Sequence, residues 1–124
     1  MNGDFILDTN AVVALLNGQT NLTNLLVQAN WIGISIITEL EFLSFPNLTA
    51  NDQALFQQFK NRVEVINLDT TDTALLQEIV AIRRAYKVKL PDAIIAACTV
   101  QRGATLITND FGFTKISNLL LQGF

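Results

Sequence analysis

Phe5-Ile6-Leu7-Asp8-Thr9-Asn10, running on through Ala11 to Leu16, is the stretch from which the fold can be read. Three apolar residues in succession, without polar alternation, predict a short strand buried on both faces. Asp8 ends that run. Asn10 to Leu16 then has helical spacing and stops at Asn17-Gly18, a favourable C-terminal signal. A strand that hands over to a helix at an acid is the opening of a β-α crossover unit.

The same grammar recurs downstream. Thr20 to Gln28 reads as a second short helix, with Leu22, Leu25 and Leu26 on one face. Trp31 to Ile36 is a β-branched strand, and Ile37 to Phe45 turns helical until Pro46 halts it. Thr49 opens a helix over Ala50 to Arg62, with Asp52 at capping-box distance. Val63 to Asn67 alternates as a strand. Asp69-Thr70-Thr71 is read as the cap of the longest helix, which runs to Tyr86. Pro91 sits in the first turn of a helix that passes Asp92 and Arg102 and ends at Gly103. Ala104 to Thr108 and Asn118 to Leu121 are the last strands, with a short helical turn near Gly112. The order β-α-α-β-α-α-β-α-α-β-β predicts an α/β fold, a three-layer α/β/α sandwich with a central parallel sheet. No linker, repeat or low-complexity tract interrupts it, so residues 1–124 are expected to form a single domain.

Composition narrows the chemistry. Half the residues are hydrophobic and only 15% are charged, which excludes an intrinsically disordered chain. Unbroken apolar runs such as Ala93 to Cys98 are too short to span a bilayer. Met1-Asn2-Gly3-Asp4 lacks the basic start of a secretory leader. The single cysteine, Cys98, excludes an internal disulfide framework and reads as a buried packing thiol. A cytoplasmic protein is expected. The sequence contains no histidine, which removes every mechanism with an imidazole base or ligand and, with one cysteine, the usual zinc sites. Carboxylates, hydroxyls, Lys, Arg or an oxygen-bound hard cation remain. A net charge of −3 gives no overall electrostatic case for nucleic acid, though a local patch stays open. A mean hydropathy of +0.35 suggests an oligomer interface. A homodimer is expected, through Ala11 to Leu26 and the segment Leu55 to Phe59.

The acids fall in a pattern. Asp8 follows the first strand, Asp110 lies just past the fourth, and Asp92 stands in a helix first turn. Strand carboxyl ends and helix N-termini share one edge of an α/β sheet, where ligands bind. Glu39 and Glu41 follow the second strand on the same edge. Two residues apart, they point about 200° apart, so only one can face the cluster, and the apolar Leu40, Phe42 and Leu43 do not decide which. Each acid has a plainer reading: Asp8 as an N-cap, Asp92 as a dipole partner, Asp110 as turn chemistry, either Glu as a solvated face. Their convergence on one edge favours a cluster. Two like charges about 4 Å apart repel by roughly 4 kcal/mol at an effective dielectric near 20. Several together need a cation, and oxygen-only ligands select Mg²⁺ or Mn²⁺, which suits phosphoryl chemistry.

Four segments carry a family resemblance: Phe5-Ile6-Leu7-Asp8-Thr9-Asn10, Ile37-Thr38-Glu39-Leu40-Glu41, Leu90-Pro91-Asp92-Ala93-Ile94-Ile95-Ala96-Ala97 and Leu106-Ile107-Thr108-Asn109-Asp110-Phe111. With these, in this order and over nearly the whole chain, the sequence resembles the PIN-domain ribonucleases, in particular the VapC-type toxins of type II toxin–antitoxin pairs. The resemblance implies a PIN-like, Rossmann-like α/β/α fold and Mg²⁺- or Mn²⁺-dependent hydrolysis of RNA phosphodiester bonds. It implies an acidic quartet of Asp8, Glu41, Asp92 and Asp110, with Glu41 chosen over Glu39 by its Thr-x-x-Glu spacing from Thr38. Asp8 and Asp92 would be the main metal ligands, with Glu41 and Asp110 acting directly or through water. Thr9, Asn10 and Thr108 would orient them. It also implies a cognate antitoxin protein. A cation from its tail would enter the acid cluster, and its apolar residues would lie near Leu15, Leu16 and Phe42. A PIN-fold RNA-processing or binding module is the alternative. A receiver domain fits less well, since Asp69 reads better as a helix cap than as a phosphoacceptor. A haloacid-dehalogenase-type phosphatase wants an Asp where Asn10 stands. Arg83, Arg84, Lys87 and Lys89, half of the eight basic residues, could hold RNA phosphates or simply cap a helix C-terminus.

Overall fold

Ile6 explains the architecture better than any other residue: it is fully buried on one face of the sheet while its neighbours Phe5 and Leu7 are buried on the other. Successive strand side chains point to opposite faces, so an unbroken apolar run means cover on both. The structure is a computed structural model that describes residues 3–124. The expectation about a leader falls partly on Met1 and Asn2, outside the described residues.

The chain forms β1 (Asp4–Leu7), α1 (Thr9–Leu16), α2 (Thr20–Val27), β2 (Trp31–Ser35), α3 (Ile36–Leu43), α4 (Ala50–Lys60), β3 (Glu64–Ile66), α5 (Thr73–Tyr86), α6 (Leu90–Arg102), β4 (Thr105–Ile107), a 3-10 turn (Phe111–Lys115) and β5 (Leu120–Gln122). The sheet order is β3-β2-β1-β4-β5, and every pairing is parallel. Side chains of α5 and α6 cover one face together with Ile6, Leu106, Phe113 and Ile116. Those of α1 to α4 cover the other with Phe5, Leu7, Ile34 and Ile107. The α/β/α sandwich expected from the element order is the fold observed.

Local signals account for most boundaries. Thr49 and Asp52 form both halves of the capping box at 3.0 Å each. The cap of α5 is a correction. Asp72 caps it, accepting from Leu75 N at 3.1 Å. Asp69 instead accepts from Thr71 N and Thr71 Oγ1 in a tight turn, and those donors hold its carboxyl below the usual range. An N-cap needs its amide two or three residues ahead with the helix already begun, and only Asp72 meets that. β5 also starts later than read, because Leu119 is still in a turn, its amide bonded to Ile116 O at 3.3 Å.

Two further expectations meet the core. Cys98 is buried on α6, and burial pushes its thiol up to about 11. Ala11, Val12, Leu22, Phe56 and Phe59 are also buried within the chain, with Phe42 stacked on Phe56 at 4.6 Å. Within the segments expected to supply a dimer face, Ala11, Val12, Leu22, Phe56 and Phe59 thus belong to the chain's own core. The exposed large apolar residues are others, including Leu40, Leu43, Val80, Leu90 and Phe111. No described helix is long and apolar enough to cross a membrane.

Candidate active site

β1 lies between β2 and β4, so the strand order reverses beside it. The chain leaves β1 into α1 on one face and leaves β4 into the 3-10 turn, whose Phe113 and Ile116 pack on the other. Connections that diverge to opposite faces open a crevice at the strand carboxyl ends. Asp8 and Asp110 stand at the mouth of that crevice.

Asp8 serves both as cap and as cluster member. Its Oδ1 accepts from Ala11 N at 2.8 Å, the N-cap bond of α1. Its Oδ2 accepts from the hydroxyl of Thr108, a short contact across the crevice. The same Thr108 oxygen accepts from Asp110 N at 2.9 Å. Thr108 thus ties the first acid to the last. Asp8 is only 4% exposed, and burial raises its pKa above the usual carboxylate range. The Thr108 and Ala11 bonds offset part of that, while Asp110 and Asp92 add to it.

Helix geometry left Glu39 and Glu41 open; the contacts separate them. Thr9 Oγ1 donates to Glu41 Oε1 at 2.6 Å, holding it toward Asp8. Glu39 turns to α4 and pairs with Lys60 at 3.1 Å, while its buried Oε1 has no hydrogen-bond partner. Asp92, half-buried in the first turn of α6, has its pKa raised by burial, then by Asp110 and Glu41. Lys89 and Lys115 counter that rise. Asp110 is exposed and caps the 3-10 turn, accepting from Gly112 N at 2.8 Å.

All four acids, with Thr9 and Asn10, line one cleft of about 180 Å³. Phe45, Ile95 and Phe113 form its apolar walls. These walls were not anticipated from sequence, nor was Lys115, whose charge acts on Asp92 from the 3-10 turn. The basic patch is divided by the structure. Arg83 donates to Val88 O at 3.2 Å, stapling the α5–α6 turn, in which Lys87 adopts a left-handed φ of 55°. Arg84 lies along α5 with Leu76 and Val80. Only Lys89 of the four acts on the acid cluster.

The donors present suit a hard divalent cation. They are carboxylates, hydroxyls and an amide, all oxygen, and two of the acids are held above their usual pKa by burial and mutual repulsion. A cation relieves both costs. Among the described residues no three acids are grouped closely enough to cage an ion by themselves.

Beside the cleft, and sharing Phe45 with it, runs an apolar groove of about 390 Å³ lined by Val13, Leu16, Phe42, Leu48 and Leu55. Leu15 does not line it; that side chain packs toward the core.

The PIN domain family model matches residues 5–119. VapBC2 from Rickettsia felis, solved with a promoter DNA fragment, is similar at 25% identity and a TM-score of 0.83, covering 98% of each chain. A toxin–antitoxin complex from Klebsiella pneumoniae shows 27% identity and a TM-score of 0.77, covering 93% of this chain and 94% of that one. DNA-bound VapBC from Salmonella typhimurium shares the fold at 23% identity and a TM-score of 0.77, covering 99% and 98%. No curated protein matches the sequence. With the family model spanning nearly the whole chain, and a parallel sheet that sets acids at its switch point, this protein belongs to the PIN domain family.

Proposed function

We propose that the chain, acting as one domain over residues 1–124, is a metal-dependent endoribonuclease of the VapC type, the toxin of a type II toxin–antitoxin pair. The observation that carries the nuclease reading is the gathering of Asp8, Glu41, Asp92 and Asp110 in one cleft of a chain without histidine. Asp8 and Asp92 would hold Mg²⁺ or Mn²⁺, with Glu41 and Asp110 bound directly or through water. When bound, the ion lowers the pKa of a water and offsets charge on the leaving oxygen. The protein does the positioning. Thr108 fixes Asp8 and the Asp110 backbone together. Thr9 engages one oxygen of Glu41 and leaves the other to orient the attacking water. Lys89 and Lys115 flank Asp92 and suit RNA phosphates.

The toxin reading rests on the Rickettsia and Klebsiella complexes, similar over nearly their full lengths. The groove through Leu16, Phe42 and Phe45 suits an antitoxin's apolar segment, and a cation from that partner suits the acids. The exposed Leu40, Leu43, Val80 and Leu90 favour a homodimer. A cytoplasmic location follows from an RNA substrate.

RNA incubated with the purified protein should be cleaved in Mg²⁺ or Mn²⁺ and spared in chelator; equal cleavage in chelator defeats the metal reading. Expression of the chain alone should arrest growth, and co-expression of the protein encoded beside it should restore it. Harmless expression of active wild type removes the toxin role and leaves the nuclease.

A further inference from the structure

Phe111 and Phe113 occupy the same 3-10 turn, yet Phe113 is 2% exposed and Phe111 is 85% exposed, the most exposed large apolar side chain among the described residues. The turn packs one ring as a wall of the acid cleft and displays the other. Phe111 sits directly after Asp110 and lines a second cleft, of about 490 Å³, between the 3-10 turn and β5. Thr108 and Asp110 line this cleft, and Asp110 lines the acid cleft as well, so the two are neighbours on either side of that residue. Its far wall is built. Asn109 Oδ1 accepts from Phe124 N at 2.8 Å and Asn109 Nδ2 donates to Phe124 O at 2.9 Å, which fixes the Phe124 backbone, and Phe124 lines the cleft together with Phe111. Leu121 and Thr114 complete the lining.

We propose that this cleft receives a nucleobase of single-stranded RNA adjoining the scissile phosphate, and that Phe111 stacks on it. The proposal rests on the nuclease reading of the acid cleft. Its lining contains no Lys or Arg, so it offers a phosphate no cationic partner and suits a neutral ring. A base is tied to its phosphate by one sugar. With the phosphate at Asp110, the neighbouring base comes to the ring one residue further on. An aromatic face accepts any base, and Asn109 has spent its amide on Phe124, so the site holds the strand without selecting a base by that amide.

Two measurements test this with the full-length protein. In metal-free Phe111→Trp, a short oligoadenylate should quench the introduced indole, and a sugar–phosphate strand of equal length without bases should not. Trp31, which opens β2 at the opposite end of the strands, supplies a constant background. In Mg²⁺, Phe111→Ala should raise the KM for that RNA roughly five- to a hundred-fold with kcat little changed, and Phe111→Trp should keep the wild-type KM. An unchanged KM in Phe111→Ala, or equal quenching by the baseless strand, overturns the stacking site while cleavage by wild type keeps the nuclease reading. Base-dependent quenching in a protein that cleaves nothing with Mg²⁺ or Mn²⁺ does the reverse. A change of oligomeric mass in Phe111→Ala assigns the ring to a protein interface and overturns the proposal.

Discussion

Asp8→Asn is expected to abolish RNA cleavage and, in chelator, to make the protein more stable than wild type. The activity loss follows, on the proposed function, from removing one of the charges that would hold the ion. Lewis-acid stabilisation is worth several kcal/mol, so the rate should fall about a thousand-fold or more. Asparagine caps a helix as well as aspartate does, so the Ala11 bond and the start of α1 survive. The stability gain follows from linkage. Burial lifts the folded pKa of Asp8 above its unfolded value, so the native state binds the proton more tightly than the unfolded state. Ionised Asp8 then costs stability. The cost is absent below the unfolded pKa, grows as pH rises from there to the folded one, and is fully present above it. A neutral side chain removes it. Thermal melts in chelator should place Asp8→Asn above wild type at pH 7, with the gap closing as the pH is lowered toward 4. Added Mg²⁺ should raise the wild type by binding and leave the variant where it was. A variant less stable than wild type in chelator at pH 7 contradicts the electrostatic account of the cleft.

Glu41→Gln and Glu39→Gln should have opposite phenotypes. Glu41 is held by Thr9 against the acid cleft, and its neutralisation should lower kcat at least a hundred-fold, the scale of losing one preorganised charge contact. Glu39 is spent on Lys60, across to α4. Its neutralisation weakens one partly exposed ion pair, worth about 1 kcal/mol or less, so activity should stay near wild type while the melting temperature changes little. Cleavage assays on the two variants side by side decide it. An inactive Glu39→Gln beside an active Glu41→Gln would place the wrong acid in the cleft.

The legible parts of this fold were those encoded locally. Phe5-Ile6-Leu7 announces a strand covered on both faces, because that demand leaves no polar position. Pro91 and Gly103 mark α6 by their backbone geometry alone. Strand order was not legible. β1 pairs with β4, and nothing near Leu7 encodes its partner Ile107. The choice between Glu39 and Glu41 was closed in sequence only by a resemblance, since the contacts that separate them come from Thr9 and Lys60 on other helices. Asp69 and Asp72 both precede α5, and only the distance to a particular amide tells a turn from a cap. The four basic residues looked like one patch. Arg83 instead reaches the Val88 carbonyl beside the left-handed Lys87, so one of its donors is used within the α5–α6 turn.

The Thr108 hydroxyl on Asp8 spans 100 residues of sequence. During synthesis, Asp8 waits through 100 residues for the one that fixes it. β1 waits likewise for β4, its neighbour on one side. Closing so long a loop is slow beside the local formation of α1 or α5, so the cleft is among the last parts of the molecule to assemble. A nascent or truncated chain that stops before Thr108 therefore has helices and part of a sheet but no finished cleft. On the proposed function, the ribonuclease cleft is thus unfinished while the chain is still being translated from RNA.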